Sequence, residues 1–292
     1  MSDSNPATTA ADTLTNTKAT TSARPLRWRA EARRQLGRRR TQVVFALIAV
    51  LPLLLVGAFS LGANDNNSNA PGFVDLATRS GANFSVFTLF ATTGFALVVI
   101  VALFFGDTVP SEASWGSLRY LLIAPVPRGL LLRSKLVVAA ASSLVALIIV
   151  IGWSTLVGFV FYGTGPFVTP GGDEIGWSSL LPRILLILGY TAVSLLTVAG
   201  LAFLFGVLAD APLAAVGGAV LVTILSTILD SITALGHWRF GLPTHYSYAW
   251  ADALGGSIQY GDMLRGGLWS IAYGVILTTI AFVRFSRKDI LS

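Results

Sequence analysis

Cysteine is absent from all 292 residues, which excludes a disulfide framework, a thiolate metal site and a cysteine nucleophile. Charge is scarce too. Asp, Glu, Lys and Arg make up 12% of the chain, about half the share of an ordinary soluble domain. A soluble protein of this length needs a charged surface, and here the few charges cluster between long apolar runs. Only three lysines occur and none follows a glycine, so the chain has no Walker A phosphate loop. H-E-x-x-H is missing as well. The two histidines, His237 and His245, lie close together without a carboxylate at a helpful spacing, so no metal site is expected. An intramembrane aspartyl protease needs two opposed acids, and only Asp230 falls inside an apolar run. Catalysis by this chain alone, and a cofactor bound by it, are therefore not expected.

Hydrophobic residues supply 54% of the sequence, and the formal charge is +6. The basic residues flank apolar runs, which makes membrane lipid the expected partner and not nucleic acid. Residues 1–23 are rich in Thr, Ala, Ser, Asn and Asp and read as a disordered tail, because they bury too little apolar surface to offset ordering. Within 24–41, Trp28, Ala32 and Leu36 recur every fourth residue among arginines. That pattern suits a basic amphipathic helix lying in the headgroup layer; the alternative is an unstructured stop-transfer flank. The first apolar run starts only near Val43 and reads as an uncleaved span.

Crossing a hydrocarbon core of about 30 Å takes roughly 20 apolar residues. Six runs qualify: 42–62, 84–106, 136–162, 182–207, 212–235 and 267–284. The expected fold is therefore all-α, a polytopic membrane protein whose residues 42–292 form a six-helix transmembrane domain. Pro52 is expected to kink the first span. Sixteen of the twenty Lys and Arg residues fall on the side of the amino terminus. The positive-inside rule then puts both termini in the cytoplasm, in the plasma membrane. Among the outer loops, 236–266 stands out for Trp238, Phe240, Tyr246, Tyr248, Trp250 and Tyr260. Rings of this kind favour the membrane interface, and a water-exposed loop is the alternative.

Asp230 shares one helical face with Thr223, Ser226 and Thr227. A carboxylate near hydrocarbon is expensive; it lies either on a substrate path or subunit interface, or it meets the interface or a local hydroxyl. Gly266, Ser270 and Gly274 recur every fourth residue, a spacing that lets helices approach closely within one chain or between two. In the loop after the second run, residues 111–123 form one expected short helix. On it Glu112, Gly116 and Arg119 share a face beside a Trp115, Leu118, Leu122 stripe. A glycine between a carboxylate and a guanidinium leaves room for a partner's backbone; the bland alternative is an amphipathic helix resting on the inner leaflet.

That stretch resembles the permease subunits of type 2 ABC exporters. Gly106, Asp107, Glu112, Gly116, Ser117, Leu118, Arg119, Leu121, Leu122, Pro125, Val126, Arg128 and Lys135 match the family pattern in order. The basic helix before the first span, the aromatic loop before the last and the closing Phe285, Arg287, Lys288 and Asp289 are similar too. The resemblance implies a cytoplasmic coupling helix between spans 2 and 3. It would make Asp107, Glu112, Gly116, Arg119, Pro125 and Arg128 the contact with two separate ABC ATPase subunits, which would hold ATP and Mg. It also implies a dimer with a second or homologous permease, and an exporter. A non-transporting membrane anchor or assembly factor is the other reading.

Overall fold

A computed structural model describes residues 37, 39–62, 73–110, 128–209 and 211–287. Arg39–Gly62 forms α1. A short α2, Phe73–Ala77, precedes α3, Gly81–Thr93, and α4, Ala96–Gly106. The long α5 covers Arg128–Tyr162. Two strands follow, β1 (Phe167–Val168) and β2 (Glu174–Ile175), then α6 (Trp177–Ser194), α7 (Leu196–Leu208) and α8 (Pro212–Ser231). Two 3-10 segments, Thr233–Gly241 and Ala249–Leu254, lead into α9, Gly261–Arg287.

Among the described residues, five helical stretches are long and apolar enough to cross a membrane: α1, α5, α6 with α7, α8 and α9. The expected second span is different. It breaks between Thr93 and Ala96, and α3 and α4 meet at 56°, so six spans result only if this bent pair counts as one. The break lies at Gly94 and Phe95, where the Tyr248 hydroxyl is seated; a Cβ on Gly94 would come within 2.5 Å of it. Apolar periodicity carries no mark of such a break, because both halves are equally apolar. The described residues are mostly helical, with one short ribbon that the sequence did not signal. β1 and β2 pair antiparallel, Phe167 opposite Ile175, around a turn in which Gly172 has φ +89°.

Boundaries shift where flanking polar residues continue a helix or turn residues stop one. α5 begins eight residues before the expected third span and buries Lys135. α8 stops at Ser231, four residues short of the expected 235, because the chain turns into 3-10 geometry. Pro52 sits inside a continuous α1. It has no N–H for the helix ladder, and in the same turn the Ala49 carbonyl accepts from Trp153 Nε1 at 2.8 Å.

Helix α7 is the hub, packing against α4, α8 and α9. Glycine pairs let the backbones meet. A Cβ on Gly206 would lie 2.9 Å from the Gly106 oxygen, and one on Gly200 would lie 3.3 Å from Gly274 Cα. Gly81 of α3 and Gly158 of α5 touch in the same way. Small residues serve this purpose where lipid removes any hydrophobic drive between helices. The Gly266, Ser270, Gly274 row is used within the chain: Tyr246 and Tyr190 cover Gly266, Ser270 is buried, and Leu196 covers Gly274.

The expected tail at 1–23 and most of the basic segment at 24–41 lie outside the described residues, as does the helix expected at 111–123.

Candidate functional site

Three places gather side chains with chemical potential. The first is the face at which α1 begins and α4 ends. Asp107 caps the carboxyl end of α4, and its backbone N–H donates to the Leu103 carbonyl. Arg40 in the first turn of α1 donates to Asp107 Oδ1 at 2.7 Å. Each charge alone sits at the unfavourable end of its own helix dipole. Paired, they cancel, and the start of α1 is tied to the end of α4. Among the residues implied for partner coupling, Asp107 is placed with its side chain, and Arg128 opens α5 through its backbone. Glu112, Gly116, Arg119 and Pro125 lie outside the described residues.

The second place is the opposite end of α8. His245 Nδ1 lies 2.5 Å from Asp230 Oδ1, and Arg239 Nε lies 3.5 Å from the same oxygen. Both partners come from the aromatic segment that follows α8. The His245 ring is held edge-on by Tyr246 and Phe240. One turn earlier, Ser226 shares a hydrogen bond of 2.8 Å with Thr244. Thr227 donates to the Thr223 carbonyl, and Thr223 to that of Ala219. Of Thr223, Ser226, Thr227 and Asp230, Ser226 and Asp230 meet the returning chain, while Thr223 and Thr227 bond carbonyls of their own helix.

The aromatic segment is packed onto the bundle. Tyr190 donates to the Tyr246 carbonyl at 2.6 Å, and Tyr273 to that of Gly241 at 2.5 Å. Arg183 donates to the Ala253 and Gly255 carbonyls at 3.1 and 2.6 Å. Burial raises the Tyr248 hydroxyl above its ordinary range, so it stays neutral in its seat at the α3–α4 break.

The third place was not singled out in the sequence. A cavity of about 500 Å³ opens on the same side as the aromatic segment. Its walls are Phe73 and Leu76 of α2, Val86, Phe87 and Phe90 of α3, and Trp250 and Leu254 of the second 3-10 segment. The turn of the ribbon, with Thr169 and Asp173, forms one edge. Asn83 fixes that edge to α3. Its Nδ2 donates to the Val168 carbonyl and its Oδ1 accepts from the Val168 N–H, both at 2.8 Å. Ser80 caps α3 by accepting from the Asn83 N–H, and it donates to the Pro166 carbonyl at 2.8 Å. The sequence signal for the cavity was the density of rings in the loop expected at 236–266. Among the described residues, no group of three or more His, Asp or Glu side chains is placed to hold a metal ion.

A family model described as "Protein of unknown function (DUF2705)" matches residues 46–291. The chain belongs to the DUF2705 family. It is also 26% identical over 225 residues to "Uncharacterized protein YhcI" of Bacillus subtilis (strain 168), a match covering 72% of this chain and 66% of that protein. The membership corrects the resemblance drawn from 106–135. The family that matches is DUF2705 and not the permeases of type 2 ABC exporters. The thirteen matching residues occupy one short stretch, and Gly, Leu, Pro and Arg are what many basic loops between apolar spans contain. The family match runs through nearly all of the apolar chain.

Proposed function

We propose that this chain is the membrane-spanning translocation subunit of an ATP-driven exporter. In this reading the bent α3–α4 pair is one span, the protein crosses the plasma membrane six times, and both termini are cytoplasmic. Two copies, or one copy and a homologous chain, form the substrate path. Separate cytoplasmic ATPase subunits hold ATP and Mg and dock on the stretch that contains Glu112, Gly116, Arg119, Pro125 and Arg128.

The observation that carries the reading is the construction of the second span. One broken helix has the ion-paired Asp107 at one end and the cavity wall of Val86, Phe87 and Phe90 at the other. A partner pulling on the loop after Asp107 would move α4. The 56° break, where the Tyr248 hydroxyl sits against Gly94, would let that movement change the angle to α3. A change of angle there would reshape the outer cavity. Bistable packed elements of this kind convert small shifts at one end into larger ones at the other.

Co-purification in mild detergent, followed by intact-complex mass and an ATPase assay, tests the proposal. Two copies with two ATPase chains are expected, with turnover lost in Glu112→Ala or Arg119→Ala while membrane insertion persists. A chain that purifies alone, or with a partner that hydrolyses no ATP, would replace the proposal with a membrane anchor or assembly factor.

A further inference from the structure

The cavity beside the ribbon combines an aromatic wall with a single ionisable group. Its volume is about 500 Å³, within the roughly 300–1,000 Å³ typical of small-molecule sites. Most of the wall is ring or hydrocarbon. Phe73 meets Phe87 and Phe90 at centroid distances of 5.5 and 5.4 Å, and Phe90 meets Trp250 at 6.5 Å. Among the lining residues only Asp173 carries a charge.

The ribbon fixes where that charge stands. The Thr169 N–H donates to the Asp173 carbonyl at 2.9 Å, and the Asp173 N–H donates to Thr169 Oγ1 at 3.0 Å. Asn83 ties the adjacent Val168 to α3, the helix that carries Phe87 and Phe90. Asp173 Oδ2 lies 3.8 Å from where a Cβ on Gly171 would stand, and Gly171 also lines the cavity. The carboxylate therefore sits at the exposed rim, held in register with the rings. Among the described residues no Lys, Arg or His forms an ion pair with it. Arg183, the guanidinium that reaches the lining residue Gly255, donates to the Gly255 and Ala253 carbonyls. The next residue in the ribbon, Glu174, adds a second exposed carboxylate.

We propose that this cavity binds a hydrophobic organic cation, its apolar body against Phe73, Phe87, Phe90 and Leu254 and its positive charge beside the Asp173 carboxylate. Ring faces attract such a cation when it comes within about 6 Å of their centroids, and the carboxylate adds a charge of the opposite sign. An anion would be repelled by Asp173. A neutral apolar guest would cover the rim and leave the carboxylate partly desolvated without a partner. A small hydrated cation would lose its water against hydrocarbon and gain one carboxylate. A zwitterionic lipid headgroup would bring a phosphate to the same carboxylate, so the occupant is a free organic cation. The site does not rest on the transport reading, because binding is measured on this chain alone and survives the loss of any ATPase partner.

Tetraphenylphosphonium and tetraphenylborate have nearly the same shape and opposite charge. The full chain in detergent is dialysed to equilibrium against each ion, and uptake by protein-free micelles is subtracted. Saturable uptake of tetraphenylphosphonium is expected, tighter than that of tetraphenylborate and weakening as salt screens Asp173. Asp173→Asn keeps the backbone N–H that bonds Thr169. It should weaken phosphonium binding about three- to fivefold, the scale of an exposed ion pair, and flatten the salt dependence. Ala251→Phe fills the cavity from an exposed rim position and should remove the saturable uptake. Comparing the two ions on the wild-type chain at low and high salt needs no variant, so misfolding of either variant leaves the test intact. Equal affinity for the two ions, linear uptake of the cation, unchanged affinity in a folded Asp173→Asn, or displacement of the cation by dioleoylphosphatidylcholine would each overturn the assignment.

Discussion

Gly158→Ala puts one methyl group into the crossing where α3 and α5 touch through glycine. Its Cβ would lie 2.8 Å from Gly81 Cα, 2.9 Å from the Gly81 oxygen and 3.2 Å from Phe84 Cβ. Two of these three atoms are backbone of α3, so no side chain can swing aside, and α3 and α5 must separate. Overpacking of this kind costs about 1–3 kcal/mol. Gly152, on the same helix, provides the control, because a Cβ there meets nothing within 4 Å. Gly152→Ala should gain up to about 1 kcal/mol from helix propensity. Thermal unfolding in detergent reads both variants, and the midpoints should move in opposite directions. Equal midpoints for Gly158→Ala and Gly152→Ala would refute the close contact.

Two more outcomes follow from the segment between α8 and α9. Asp230→Ala removes the anion that faces His245 and Arg239 and should cost about 1–3 kcal/mol, seen as faster proteolysis within 232–260; an unchanged cleavage rate would show that the group does not fasten the loop. Asp252 is held above the ordinary carboxylate range, first by burial and then by the charge of Asp262. Its protonated form is favoured in the folded chain, so its contribution to stability is full at low pH and is lost as pH rises through the raised value. Asp252→Asn cannot ionise and should raise the thermal midpoint more at about pH 7 than at about pH 4; a difference that does not grow with pH would contradict this.

Helical spacing put Thr223, Ser226, Thr227 and Asp230 near one another in the sequence, and in the structure all four lie on α8. What that row meets was not legible. His245, Arg239 and Thr244 are brought back to it by 3-10 turns whose path depends on Tyr190, Tyr273 and Arg183 reaching backbone carbonyls from other helices. The Arg40–Asp107 pair spans 67 positions and likewise has no local signal. The pattern over 106–135 misled about family, because a short run of matching residues constrains ancestry far less than a match through most of the chain.

Composition and the lengths of apolar runs were enough to establish a helical, multi-pass architecture of the membrane type, since a hydrocarbon layer demands about 20 apolar residues wherever a helix crosses it. Tertiary structure alone decided that α3 and α4 meet at a break of 56°, that glycine pairs carry the crossings and that rings from α2, α3 and the second 3-10 segment line a cavity. Lipid and protein interior ask for the same apolar side chains. Which of those side chains face each other is settled only when the helices pack.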